Sequence, residues 1–261
     1  MRKIKFFLAL GLMMIGLGVN AKTQASVYDM SQLTAGYDYT NGGSIDVSGT
    51  FTLKGTLASP YYISVADGAN ITLENVVING TNNSNYKYAG ITFRGDANVY
   101  LKGTNKIKGW YQYYPGIFVE PGKTIHIYTE TDDPNASLEV SSNGYGAGIG
   151  GGYQIDCGSI YIHSGKITAT SQYAAAIGSG YQAKCGLVYL YGGDIDARCT
   201  GGTGCGAAAI GTATKGTVKA IYIKNDVDRL YAKGGDGSPC SIGCGKEGTN
   251  ESGICNIFSQ D

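Results

Sequence analysis

The stretch Gly146-Ala147-Gly148-Ile149-Gly150-Gly151-Gly152-Tyr153 returns 28 residues later as Ala174-Ala175-Ala176-Ile177-Gly178-Ser179-Gly180-Tyr181. Each copy is followed by a Cys-Gly pair, Cys157-Gly158 or Cys185-Gly186, and then by Ser159-Ile160-Tyr161-Ile162 or Leu187-Val188-Tyr189-Leu190. Ala208-Ala209-Ile210-Gly211 and Cys240-Ser241-Ile242-Gly243 extend the series. Self-similarity at a period of 20 to 50 residues marks a repeat architecture, in which one unit cannot bury its apolar face alone.

Apolar alternation carries the repeat upstream. A first short strand recurs at Ile63, Ile91, Ile117, Ile149, Ile177, Ile210 and Ile242. A second recurs at Ile71, Val99, Ile125, Ile160, Val188, Ile221 and Ile254, and a third at Val77, Ile107, Leu138, Ile167, Ile195 and Leu230. Gly, Asn, Asp and Ser turns separate them. Three short strands per unit predict an all-β solenoid, a single-stranded parallel β-helix of seven to eight rungs, with like residues stacked in its core. General connection rules make it right-handed. The 42 Gly lack a collagen period, and 43% hydrophobic residues is too many for a disordered chain.

The first 21 residues are read separately. Arg2, Lys3 and Lys5 precede an apolar run from Phe6 to Val19, and Val19-Asn20-Ala21 offers small or permissive residues for cleavage. This is the pattern of a secretory signal peptide, with cleavage expected after Ala21. The run is short for a membrane span and none follows, so no transmembrane segment is expected. Residues 22–261 form one domain, with 22–57 as N-terminal cap and first rung and 240–261 as the last rung and cap. Losing those three cations leaves 17 basic against 20 acidic residues, which argues against nucleic acid as partner. The expected location is extracytoplasmic: secreted, cell-surface or periplasmic.

Outward positions on the second strand form two ladders. One runs Thr72, Tyr100, His126, Tyr161, Tyr189, Tyr222; the other runs Glu74, Lys102, Tyr128, His163, Tyr191, Lys224. Ring faces suit sugar C–H groups, and phenol, imidazole and ammonium groups suit hydroxyls. Cross-strand aromatic pairs also stabilise sheets without any ligand. Trp110, Tyr111, Tyr113 and Tyr114 form an aromatic loop, with Tyr86-Lys87-Tyr88 in the equivalent corner of the previous rung; it either recognises a ligand or covers the helix side. The first strand is outwardly bare, at Gly148, Gly150, Ala176, Gly178, Ala209, Gly211, Ser241 and Gly243, which suits either a partner or tight corners.

The run Gly-Ala-Gly-Ile-Gly-Gly-Gly, Cys-Gly-Ser-Ile-Tyr-Ile and Ser-Gly-Lys-Ile-Thr-Ala resembles the repeats of secreted right-handed β-helix proteins of gut bacteria, and so does Gly49-Thr50-Phe51-Thr52-Leu53-Lys54-Gly55-Thr56-Leu57. These are described as carbohydrate-binding-domain-like or adhesin-like. The resemblance covers most of residues 43 to 235. It implies a non-catalytic, extracytoplasmic, glycan-binding or adhesive protein whose partner is a polysaccharide or a cell-surface protein.

Other chemistry is weaker. Asp132, Asp133 and Asn135 could bind Ca²⁺, or form an acidic turn; no other cofactor is expected. Seven cysteines leave at least one unpaired. Cys157 and Cys185 occupy equivalent positions one rung apart and could form a disulfide or remain thiols, while Cys240 and Cys244 are too far apart if the segment between them is extended. The alternatives to glycan binding are a structural or self-associating surface rod, and a pectin-degrading type of lyase or hydrolase. Glycosidic hydrolysis usually needs two carboxylates over one cleft, and here they are scattered over different faces.

Overall fold

The computed structural model describes residues 26–32, 44–57, 60–253 and 255–259. The expected leader at 1–21 and Ile254 lie outside them. The chain winds as a parallel β-helix with three faces. Eight short strands make the first face: Ser44–Val47, Tyr62–Val65, Ile91–Phe93, Ile117–Val119, Ile149–Gly150, Ile177–Gly178, Ile210–Gly211 and Ile242–Gly243. Among the described residues eight rungs therefore stack along the axis.

The first-face isoleucines pair as the sequence predicts. Ile91, Ile117, Ile149, Ile177, Ile210 and Ile242 are matched residue for residue. Ile63 falls beneath Ile91 because Ser64 pairs with Thr92. Those from Ile63 to Ile210 have no exposed surface, and burying each is worth about 1.5–3 kcal/mol.

Ala69–Asn79 turns one corner without leaving the sheet. Its first half pairs with Ala97–Lys102 on the second face and its second half with Thr104–Lys108 on the third. The two faces are thus one continuous sheet. Along them, three sequence expectations need correction. Val99 pairs with Ile127 rather than Ile125, a slip of two residues. Ile107 pairs with Val140 rather than Leu138, a slip of two again. Val77 faces outward while Val76 and Ile78 are buried. The two slips share a cause: side chains alternate with period two, so a two-residue shift keeps every apolar residue on its face and alternation cannot detect it. Val77 fails differently. Asn75 takes φ 53° at the corner, which consumes one residue and inverts the parity beyond it.

The slip at the third face places Asn105 in an otherwise apolar column, with no exposed surface. Its Oδ1 accepts from the Val76 amide at 2.9 Å, and its Nδ2 donates to the carbonyls of Lys102 and Ser137, both at 3.2 Å. A buried amide is tolerated only when paired in this way.

The bare first-face strip is buried, apart from the half-buried Ser241. Gly150, Gly178, Gly211 and Gly243 have φ between +119° and +136°. A Cβ on Gly178 would lie 2.0 Å from the Gly211 carbonyl oxygen. The strip serves close rung stacking and corner geometry, and offers no open surface to a partner.

At the N-terminal end Ser26–Asp29 adds a parallel strand beside Thr50–Leu57, and Met30 is fully buried in the core. At the other end Cys255–Ser259 pairs with Thr217–Lys224, with Cys255 opposite Ile221. No described helix is long and apolar enough to cross a membrane.

Candidate functional site

The corrected register redraws the outward ladders. One column runs Asn70, Asn98, His126, Tyr161, Tyr189, Tyr222. The next starts with Thr72, Tyr100 and Tyr128 in register, then continues through His163, Tyr191 and Lys224, each the residue that follows a paired position. Tyr100 therefore stands over Tyr128 and not beside His126. Lys102 leaves the site: it pairs with Glu74 in register and its Nζ lies 3.2 Å from Asp132. The other second-face candidates, Tyr100, His126, Tyr128, Tyr161, His163, Tyr189, Tyr191, Tyr222 and Lys224, are brought together, all half-buried.

The rings stack face to face along the axis. In the first column Tyr161 and Tyr189 are 5.5 Å apart at 9°, and Tyr189 and Tyr222 are 4.9 Å apart at 19°. In the second, Tyr100–Tyr128 is 5.5 Å, Tyr128–His163 is 4.3 Å and His163–Tyr191 is 4.6 Å. Tyr189 and Tyr191 join the columns at 4.2 Å, and the Lys224 ammonium lies 5.9 Å from the Tyr189 ring centre. Stacking has a chemical consequence. A ring whose faces are covered by its neighbours presents its edge to a ligand, so the surface offers a row of polar ring edges repeating about every 4.8 Å, not a row of apolar faces.

His126 and His163 touch across the columns, with Nδ1 of one 3.0 Å from Nε2 of the other. One ring must donate and the other accept, which requires at least one neutral imidazole. Burial, reinforced by His126, lowers the His163 pKa to about 4. Burial also lowers that of His126, against the opposing charge of Asp96. An unfolded histidine titrates near 6.5, so between pH 6.5 and 4 the unfolded chain binds the proton preferentially. The stability that neutral His163 contributes is complete above pH 6.5 and falls as pH drops toward 4. Allowing for solvent around the half-buried ring, the loss is about 1 kcal/mol. Urea denaturation at pH 7 and pH 4.5 is expected to show this much less pH dependence in His163→Gln than in the native chain.

The Trp110 loop divides. Trp110 is 2% exposed, packed edge-on against Tyr86 and Tyr88, and offers no surface to a ligand. Of the two readings of this loop, Trp110 takes the covering one rather than the ligand-binding one, because a large indole on a corner loop gains more from covering the core than from solvent. Tyr111 and Tyr113 belong to another tyrosine cluster. Tyr113 stacks on Tyr153 at 4.8 Å, Tyr153 on Tyr181 at 5.6 Å, and Tyr145 on Tyr173 at 5.0 Å. Tyr145, Tyr153, Tyr173 and Tyr181 were not among the sequence candidates. Their signal was present, since Tyr145 and Tyr173, like Tyr153 and Tyr181, are 28 residues apart. Tyr114 instead lines a shallow depression with Tyr62, Lys87, Tyr88, Phe118 and Glu120. The Tyr88 hydroxyl is buried with no partner among the described residues, and burial raises its pKa above the usual phenol range.

Two of the three calcium candidates are otherwise engaged. Asp132 pairs with Lys102, Asp133 Oδ2 accepts the Gly103 amide at 2.7 Å, and Asn135 is exposed on the same turn. Among the described residues no three His, Cys, Asp or Glu side chains are grouped to hold a metal. Cys157 and Cys185 are buried free thiols. Their sulfurs donate to the carbonyls of Gly178 and Gly158, at 3.7 and 3.6 Å. The segment from Cys240 to Cys244 is not extended, since Cys240 Sγ reaches the Cys244 carbonyl at 2.9 Å. Outward carboxylates on the third face are paired, Glu139 with Lys106 at 2.8 Å, Asp194 with Arg229 at 2.7 Å and Asp196 with Arg198 at 2.6 Å. Compared with protein families, curated proteins and solved structures, the chain matches none.

Proposed function

We propose that the chain is an exported, non-catalytic glycan-binding protein of adhesin-like character, and that the Tyr/His columns of the second face take a polysaccharide edge-on. The observation that carries this reading is the unbroken stack from Tyr100 to Tyr191 beside that from His126 to Tyr222. Phenol and imidazole groups at rung spacing form a linear array of donors and acceptors, suited to a chain-like polyol. The sequence resemblance to secreted β-helix proteins supports the same reading. Catalysis is disfavoured because the third-face carboxylates are held in ion pairs rather than poised in twos over a cleft. A self-associating rod loses its main support with the burial of the first-face strip.

The test is a glycan-array screen of residues 22–261 with plant and host polysaccharides. Saturable binding to one polysaccharide class is expected, and Tyr161→Ala with Tyr189→Ala is expected to abolish it while the chain stays folded. Silence across the array from a folded sample would overturn the proposal.

A further inference from the structure

Among the described cysteines, one pair stands apart from the core. Cys199 ends the third-face strand Asp194–Cys199, and Cys205 lies beyond an exposed turn that leads back to the first face. Both are buried, in a small cluster with Ala174, Ala207 and Ala213 that is separate from the main core. Their sulfurs are 2.9 Å apart. That is within about 1 Å of a bonded disulfide separation. Each sulfur also lies near the Gln172 carbonyl oxygen, at 3.2 and 3.4 Å. The surroundings leave room for sulfur: a Cβ on Gly201 would lie 2.6 Å from the Cys205 Cβ, and one on Gly235 would lie 2.5 Å from the Cys205 sulfur.

We propose that Cys199 and Cys205 form the native disulfide of this protein, pinning the turn at 200–204, and that the sequence-equivalent pair Cys157 and Cys185 does not. The two sulfurs share one hydrogen bond, which lowers the pKa of the thiol that accepts it and raises that of its donor. Cys205 borders the exposed turn and is the thiolate that attacks. With an external disulfide as oxidant, Cys205 displaces one thiol and forms a mixed disulfide. Cys199 then attacks the Cys205 sulfur and releases the second thiol. Two protein thiols are oxidised to one disulfide; the oxidant's disulfide is reduced to two thiols, which carry away the two protons. The turn between the cysteines lets the oxidant in, since Gly202 and Gly204 have open space around them and residues 202–204 are exposed.

This inference is independent of the glycan reading. Arg198 and Lys215 bracket both cysteines, so trypsin releases them in one peptide, residues 199–215, that holds no other cysteine. The full chain is incubated with oxidised glutathione, denatured, alkylated without reductant, digested and weighed. The expected peptide is two hydrogens lighter than its reduced form and carries no alkyl group, while Cys157 and Cys185 are both alkylated. Reduction before alkylation should add two labels to the 199–215 peptide. Alkylation of both Cys199 and Cys205, a glutathione adduct that persists on either, or a link from either to another cysteine would overturn the proposal.

Discussion

Gly178→Ala is expected to destabilise the protein by about 4 kcal/mol, among the largest effects a single methyl group can have. Two costs combine. The residue holds φ +134°, and the new Cβ would sit 2.0 Å from the carbonyl oxygen of Gly211. The first cost is backbone strain of about 1–3 kcal/mol for an L-residue in such a region. The second is a clash with backbone of the next rung, which cannot swing aside without opening the stack. Two other glycines separate these terms. Gly122 has φ +78° with nothing within 4 Å of the added Cβ, so Gly122→Ala should cost only the conformational part, about 1–2 kcal/mol. Gly202 has open space and no positive φ, so Gly202→Ala should fall within about 0.5 kcal/mol of the native chain. Urea denaturation midpoints of the three variants check the order. Equal midpoints for Gly178→Ala and Gly202→Ala would contradict the stacking geometry of the first face.

Asn105→Leu should cost about 3 kcal/mol, although it replaces an amide by an apolar side chain of similar size inside an apolar column. The substitution strands the Val76 amide and removes a donor from two carbonyls, those of Lys102 and Ser137. A buried group left without its partner costs about 1–3 kcal/mol. The amide of Val76 belongs to the corner where Ala69–Asn79 passes from the second face to the third, so the loss should appear there first, as faster hydrogen exchange at residues 75–78. A Leu variant as stable as the native chain would mean that the corner holds without this side chain.

These two positions also show where the sequence was readable. From Ile149 onward the first-face column was legible because the Ile-Gly step recurs between small residues and fixed turns, so its phase has no competitor there. On the second and third faces the phase rested on alternation alone, and alternation is blind to a shift of two. Asn105, between Thr104 and Lys106, carried no expectation from the sequence, and it is the residue opposite Leu138. The corner at Asn75 needed a left-handed residue to be recognised, and Asn is among the few types that accept it. The candidate site was legible in composition and less so in order: Tyr161, Tyr189 and Tyr222 fell in the right column, Tyr100 in the wrong one. Loop side chains were not legible, since whether Trp110 lies in or out depends on Tyr86 and Tyr88 from the neighbouring rung. The sulfur pair at Cys199 and Cys205 was not legible from the repeat, because the two residues lie across a turn and not at equivalent positions of successive rungs.

The Tyr/His columns are proposed to bind a glycan through their ring edges. This is tested most directly with Tyr161→Phe and Tyr189→Phe together, which keep the stacked rings and remove two outward hydroxyls. Titration calorimetry is run on this variant and the native chain, with the polysaccharide class that the array selects. Each lost hydrogen bond is worth about 0.5–1.5 kcal/mol, so losing two in edge-on binding predicts an affinity lower by about 5- to 150-fold, with the denaturation midpoint nearly unchanged. Unchanged affinity in the folded double variant would contradict the account, and would move the contact to ring faces or to another surface.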